Sequence, residues 1–316
     1  MIEVVAPGKL FLCGEYAVLE GAPALVAAVS PMATARWVED APFLGGNDLP
    51  SCVATQLARR LGTSLPPGAP VVDTAAFLRP NGQTRGLGSS AAAAAAAAGA
   101  TAEALGFPIE AGEVRPFLLA ASMAGHSEHQ GGVGSGADVA AAIQGGVIGF
   151  SRDRGPQSLD GPEGLSWAAV EVGPGGASTP DLIRALSDQD PASVGPAMAD
   201  LANAAGEAVR AWVSGRTTRF LQWIEAYRDG LARLGEVIDR PIVTPRDLQV
   251  ADVARRHGGA AKPSGAGGGE LAVVFAPSGA ALEAILADCE KMGAQPAPGV
   301  HPEQAGLRLS RPSTSA

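Results

Sequence analysis

The sequence predicts a chain of mixed helices and strands in two domains, on three observations. Short β-branched runs, such as residues 2–7 and 147–150, alternate with longer helical runs. With 316 residues, 46% of them hydrophobic, the chain can bury one large core or two moderate ones. A polar, Gly-rich stretch at 151–164 reads as an exposed connection. The boundary placed there gives domains at 1–160 and 161–316.

Residues 2–7 alternate and form a short strand. A Pro7-Gly8 turn then presents Lys9 ahead of an apolar strand that Gly14-Glu15-Tyr16 ends. An isolated lysine is usually a solvated surface charge, but this one lies between a turn and a buried-looking strand, which favours a directed role. Residues 17–29, with Gly21 and Pro23 inside, read as a hairpin of two strands, and 33–38 continues the sheet. Residues 52–61 are helical, 66–70 form a proline loop, and 71–74 and 75–78 read as strand.

The chain is organised around Arg85-Gly86-Leu87-Gly88-Ser89-Ser90 and the eight alanines that follow, Ala91 to Ala98. Two glycines let backbone N–H groups approach an anion, and a run of the best helix former starts at once. The N-terminus of such a helix offers unpaired N–H donors and partial positive charge, a site for phosphate oxygens. Ser89 or Ser90 can cap the helix or reach a phosphate-bound metal. The alternative is an ordinary Ser-capped helix after a glycine turn. A Walker A loop is excluded, because no Gly-Lys-Ser/Thr follows, and the dinucleotide fingerprint lacks its third glycine.

Residues 114–124 make an apolar helix that runs into His126-Ser127-Glu128-His129-Gln130. The two histidines share a helical face but have no third ligand, so hydrogen-bonding or solvated roles are expected. After the glycine-rich 131–136, Asp138 opens a small apolar helix at 139–143, as a directed carboxylate or simply as a cap. Residues 147–150 and 167–172 are strands. Residues 173–180 form a second Gly/Ser/Thr loop with a helix from 181, and further helices follow at 194–212, 216–234 and 245–256. Thr244 caps the last of these and Pro245 takes its first position. The loop 261–270 carries four glycines in five positions, a density that suggests backbone lying against a ligand. A strand at 271–275, a helix at 280–292, an edge strand at 306–309 and a disordered tail at 311–316 complete the chain.

A net charge of −9 argues against a nucleic-acid surface. No apolar run has the length of a membrane span, and the first residues lack a secretory signal. Cys13, Cys52 and Cys289 have no metal-ligand spacing and read as reduced cytosolic thiols.

Three motifs, in order over almost the whole chain, resemble the galactokinase, homoserine kinase, mevalonate kinase and phosphomevalonate kinase (GHMP) superfamily. They are Pro7-Gly8-Lys9 with Gly14-Glu15, Gly86-Leu87-Gly88-Ser89-Ser90-Ala91, and Lys262-Pro263-Ser264-Gly265-Ala266-Gly267-Gly268-Gly269. Tyr16, where mevalonate kinases carry His, and Gly134-Ser135-Gly136-Ala137-Asp138 are most similar to the phosphomevalonate kinase family. Glu270 departs from that pattern, where Asp is usual, and so does Arg85 directly before the serine loop.

The resemblance implies a two-domain α+β fold, with an N-terminal domain like ribosomal protein S5 and a ferredoxin-like C-terminal domain. It implies ATP and Mg²⁺ as cofactors, with ATP phosphates on Gly86, Leu87, Gly88, Ser89, Ser90 and Ala91. Lys9 and Asp138 would be catalytic, and Ser90 and Glu128 would meet the metal. Tyr16, Ser135, Gly136, Lys262, Ser264, Gly265 and Ala266 would contact the acceptor. That acceptor would be 5-phosphomevalonate, converted to 5-diphosphomevalonate in the mevalonate route by a cytoplasmic monomer or homodimer. Mevalonate kinase and an ATP-dependent decarboxylase of the same superfamily are the alternative readings.

Overall fold

The computed structural model describes residues 2–132, 134–173 and 179–310. The tail expected at 311–316 and most of the loop expected at 173–180 fall outside them. The chain forms two compact units, one of Met1–Lys9, Ala27–Ile148 and Pro302–Ala316, the other of Leu10–Val26 and Gly149–His301. The division is therefore not a single cut near 160. Residues 10–26 group with the later part of the chain, and 302–310 with the earlier part.

The first unit is built from β1 (Val4–Cys13), β2 (Ala24–Val38), α1 (Leu49–Leu61), β3 (Ala69–Asp73), α2 (Ser89–Ala104), α3 (Arg115–His129), α4 (Ala137–Gln144) and β4 (Val147–Ser151). Strands β1, β2 and β4 run past its limits in sequence. Residues 91–98 of α2 are buried all round, because alanine lets neighbours approach from every side. Helices α1, α3 and α4 pack on it. A Cβ at Gly99 would lie 2.7 Å from Val4 Cγ1, so the missing side chain sets how near β1 comes to the helix.

The second unit contains β5 (Gly155–Ser158), β6 (Ser166–Glu171), α5 (Thr179–Ser187), α6 (Pro191–Val213), α7 (Thr217–Val237), α8 (Pro245–Arg256), β7 (Ala260–Pro263), β8 (Leu271–Ala276), α9 (Gly279–Lys291) and β9 (Gln295–Pro296). Strand β10 (Arg308–Leu309) returns to the first unit and pairs with β1, Val4 opposite Leu309. It is the edge of a sheet ordered β10-β1-β2-β4-β5, with β3 on β2.

The other sheet is ordered β7-β8-β6-β9, with antiparallel neighbours. With helices between β6 and β7 and between β8 and β9, this is the expected ferredoxin-like arrangement. Its core against α8 and α9 includes Val170, Val250, Val274, Ile285 and Cys289. Phe275, next along β8 and so on the opposite face, meets Phe220 edge-on at 5.1 Å, and Phe220 meets Trp212 likewise. Helix α8 starts as expected, with Thr244 and Asp247 in a reciprocal capping box and Pro245 in the first turn.

Several local expectations are corrected. Pro7-Gly8 makes no turn but lies inside β1, where glycine marks a close backbone approach. Residues 17–20 are a 3-10 turn rather than a strand, and β2 runs unbroken to Val38. Residues 75–77 are also 3-10. Strand β5 lies within the presumed connection, and β7 within the presumed glycine loop.

Candidate active site

In the first unit, β1 brings Lys9 onto the serine loop. The Lys9 N–H donates to Leu87 O at 2.8 Å, and its Nζ donates to Gly86 O at 3.3 Å. Two glycines make this approach possible. A Cβ at Gly8 would stand 2.6 Å from Leu87 O and 2.7 Å from the Phe77 ring, and one at Gly88 2.7 Å from Lys9 Cγ. Gly86 and Gly88 also take left-handed backbone, at φ 66° and 78°. Lys9 is 9% exposed, so its ammonium is fixed against the loop rather than solvated.

Gly88, not a serine, is the N-cap of α2, and among the described residues no side chain caps the helix. This corrects the expected serine cap. Ser89 and Ser90 are the first two helical residues, and Ala91 is buried behind them. First-turn N–H groups have no partner within their own helix, so the loop and helix start can receive an anion. Ser90 Oγ lies 3.0 Å from His126 Nε2 on α3.

Asp138 is the second residue of α4, whose N-cap is Gly136 at φ 80°, so it is not merely a cap. Its Oδ1 accepts the Val139 N–H at 2.9 Å, which turns the half-buried carboxylate toward the helix start. Ser135 Oγ accepts from Ala137 N–H at 3.2 Å, and Gly136 leaves room for the end of Met123. Glu128 departs from expectation. It is exposed, and its Oε2 accepts from Gln56 Nε2 at 3.0 Å, so its neighbour is α1 rather than Ser90.

In the second unit, five of the expected acceptor residues, Tyr16, Lys262, Ser264, Gly265 and Ala266, cluster at the glycine loop. Lys262 is fully buried and donates to Glu15 Oε1 at 2.5 Å and to Pro263 O. It cannot meet a substrate phosphate, and that expectation is withdrawn; its charge is committed to holding β7 against Glu15. Glu15 Oε1 also accepts the Gly265 N–H at 3.2 Å, and among the described residues its other oxygen has no partner. Burial pushes the Glu15 carboxyl above the usual range, with Lys262 opposing the shift. Burial likewise raises the Tyr16 and Tyr227 phenols and the Cys13 thiol, and the nearby Glu15 adds to each shift.

Tyr16 is 5% exposed and donates to Ala266 O, while Tyr227 donates to Glu15 O. Ser264 Oγ donates to Phe11 O at 3.0 Å. Tyr16 therefore holds the loop from beneath, leaving Ser264, Gly265 and Ala266 half-buried. The glycines that follow serve the chain's own packing rather than a ligand. Gly267 is left-handed at φ 82°, with no room for a Cβ beside Ile242 O, and Gly268 N–H donates to Ile242 O at 2.9 Å.

Sequence reasoning missed Glu15 and Tyr227 as partners, and with them the meaning of Lys262. A carboxylate and a lysine each set in an otherwise apolar stretch were the available signal.

Residues 47–146 match the family model described as GHMP kinases N terminal domain. That segment is similar to a GHMP kinase N-terminal domain, and the chain is an ATP-dependent kinase. A curated relative, the phosphomevalonate kinase of Streptomyces sp. (strain CL190), is 29% identical over 340 aligned residues, covering 85% of this chain and 88% of its own. A crystal structure of a Listeria innocua protein matches with a TM-score of 0.83 at 23% identity, over 98% of this chain and 99% of the other. The Streptococcus pneumoniae phosphomevalonate kinase in complex with phosphomevalonate and AMPPNP matches with a TM-score of 0.78 at 17% identity, over 98% and 100%. Mevalonate kinase and homoserine kinase structures share the fold as well, so the fold does not choose the acceptor. Among the described residues, no helix is long and apolar enough to cross a membrane.

Proposed function

We propose that the chain is a phosphomevalonate kinase, transferring the γ-phosphoryl group of ATP to 5-phosphomevalonate to give 5-diphosphomevalonate in the cytoplasm. The observation that carries this reading is Lys9 pinned to the serine loop, in a chain 29% identical to a phosphomevalonate kinase over 85% of its length. Phosphoryl transfer asks a protein for positioning and charge neutralisation more than for covalent chemistry. Residues 86–91 would hold the nucleotide phosphates through loop and helix-start N–H groups. Lys9 would offset charge on the migrating phosphoryl group. Asp138 would orient Lys9 or the acceptor, whose phosphate is already largely ionised near neutral pH and needs no strong base. Ser135 and Gly136 would shape the acceptor's surroundings.

Magnesium, when bound, would supply positive charge to offset that of the phosphates, with Ser90 the residue here that would hold it. Among the described residues no group of three or more His, Cys, Asp or Glu could hold an ion alone. That fits an ion carried in with the nucleotide and touched by few protein oxygens, Ser90 first among them. A coupled ADP-release assay across mevalonate, 5-phosphomevalonate, diphosphomevalonate, homoserine and galactose tests the reading. Turnover with 5-phosphomevalonate well above the others is expected. Preference for mevalonate, or carbon dioxide release from diphosphomevalonate, would replace it with one of the alternatives.

A further inference from the structure

We propose that His126 is a positioning residue that sets the polarity of Ser90: it takes the serine's hydroxyl proton in a hydrogen bond, so that the serine oxygen serves a cation as a ligand and does not donate to phosphate. This rests on the kinase reading above and deepens it at one atom. His126 is 4% exposed on α3, and its Nε2 faces two groups. Ser90 Oγ lies 3.0 Å away, and the amide nitrogen of Gln130, one turn further along the helix, 3.2 Å away. With the Gln130 amide nitrogen turned to Nε2 as a donor, that nitrogen offers its lone pair and the ring proton belongs on Nδ1, the tautomer the proposal requires. The Ser90 hydroxyl, at the shorter of the two distances, shares that single lone pair as the nearer donor of a three-centre bond.

A serine hydroxyl has one proton and two lone pairs. With the proton committed to His126, Ser90 Oγ has only lone pairs left to offer. Lone pairs bind a hard cation and repel a phosphate oxygen. The lack of a serine cap on α2 agrees with this, since Ser90 is not committed to its own helix. Gln130 thereby fixes the tautomer and His126 the serine, an arrangement of outer partners that commonly tunes metal ligands.

The tautomer is read by long-range ¹H–¹⁵N correlation on the full chain at pH 8, without nucleotide or metal, where only four histidines contribute. The ring proton is expected on Nδ1 of His126, and a proton on Nε2 overturns the proposal. Mn²⁺ affinity is then measured by electron paramagnetic resonance with a non-hydrolysable ATP analogue present. His126→Ala should weaken Mn²⁺ binding by about tenfold or more. His126→Gln, whose amide oxygen can take the serine proton, should restore most of it. Unchanged Mn²⁺ affinity in folded His126→Ala also overturns the proposal. Failure of the kinase reading would look different: the wild-type chain would bind neither the analogue nor Mn²⁺, and both readings would fall together.

Discussion

Removing one member of the buried Glu15–Lys262 pair should give a pH-dependent loss of stability whose sign is fixed in advance. In Lys262→Met, Glu15 keeps the Gly265 N–H at 3.2 Å but loses its counter-charge, and among the described residues its other oxygen already lacks a partner. Breaking a buried ion pair in this way costs about 3–5 kcal/mol. Burial already raises the Glu15 carboxyl, and losing the lysine raises it further. A raised native pKa means that the protonated form is the better folded one. Stability is therefore greatest below the ordinary carboxylate value of about 4.3 and falls as pH rises toward the native value, by up to about 1.4 kcal/mol per pH unit. The Lys262→Met deficit relative to wild type should thus be largest at pH 8 and shrink toward pH 5. Glu15→Gln leaves an ammonium and no acid to protonate, so it should show no such rescue. Urea unfolding followed by tryptophan fluorescence reads this, because buried Trp212 lies in the same unit as the pair. A deficit below about 1 kcal/mol, or one constant from pH 5 to 8, would refute the reasoning.

Lys9→Ala and Asp138→Asn should each lower turnover by about a hundredfold or more, with circular dichroism and the unfolding midpoint near wild type. Gly88→Ala places a methyl group against the Lys9 stem at a left-handed position, at a cost of about 1–2 kcal/mol. Because the flexible stem rather than the backbone gives way, kcat should fall by about a hundredfold while the chain stays folded, as steady-state kinetics will read. Gly267→Ala meets the Ile242 carbonyl instead, which cannot move aside cheaply. Its main effect should be a lower urea midpoint, by roughly 2–3 kcal/mol in stability.

What the sequence made legible was what local chemistry dictates. The alanine run is helix α2, the Thr244-Pro245 start of α8 lies where its cap requires, and Lys9 and the serine loop do meet. What stayed hidden depends on distant partners. Strand β7 has four residues and is defined only by its pairing with β8, so its sequence reads as loop. Lys262 looked available to a ligand because its counter-charge lies 247 residues away. The glycines at 267 and 268 looked like a ligand cradle because Ile242, the backbone they lie against, carries no signal of its own. The serine cap failed for a local reason: Gly88 in the left-handed conformation starts α2, which leaves Ser90 free to turn to His126.

The most direct test of the central claim, that Lys9 on the serine loop serves transfer to a phosphate acceptor, is ³¹P NMR of the product formed from ATP, Mg²⁺ and 5-phosphomevalonate. The wild-type chain should yield ADP together with a new pair of coupled diphosphate resonances, and Lys9→Ala should yield neither on the same timescale. Wild-type protein giving no diphosphate resonances, or Lys9→Ala giving them at the wild-type rate, would contradict it.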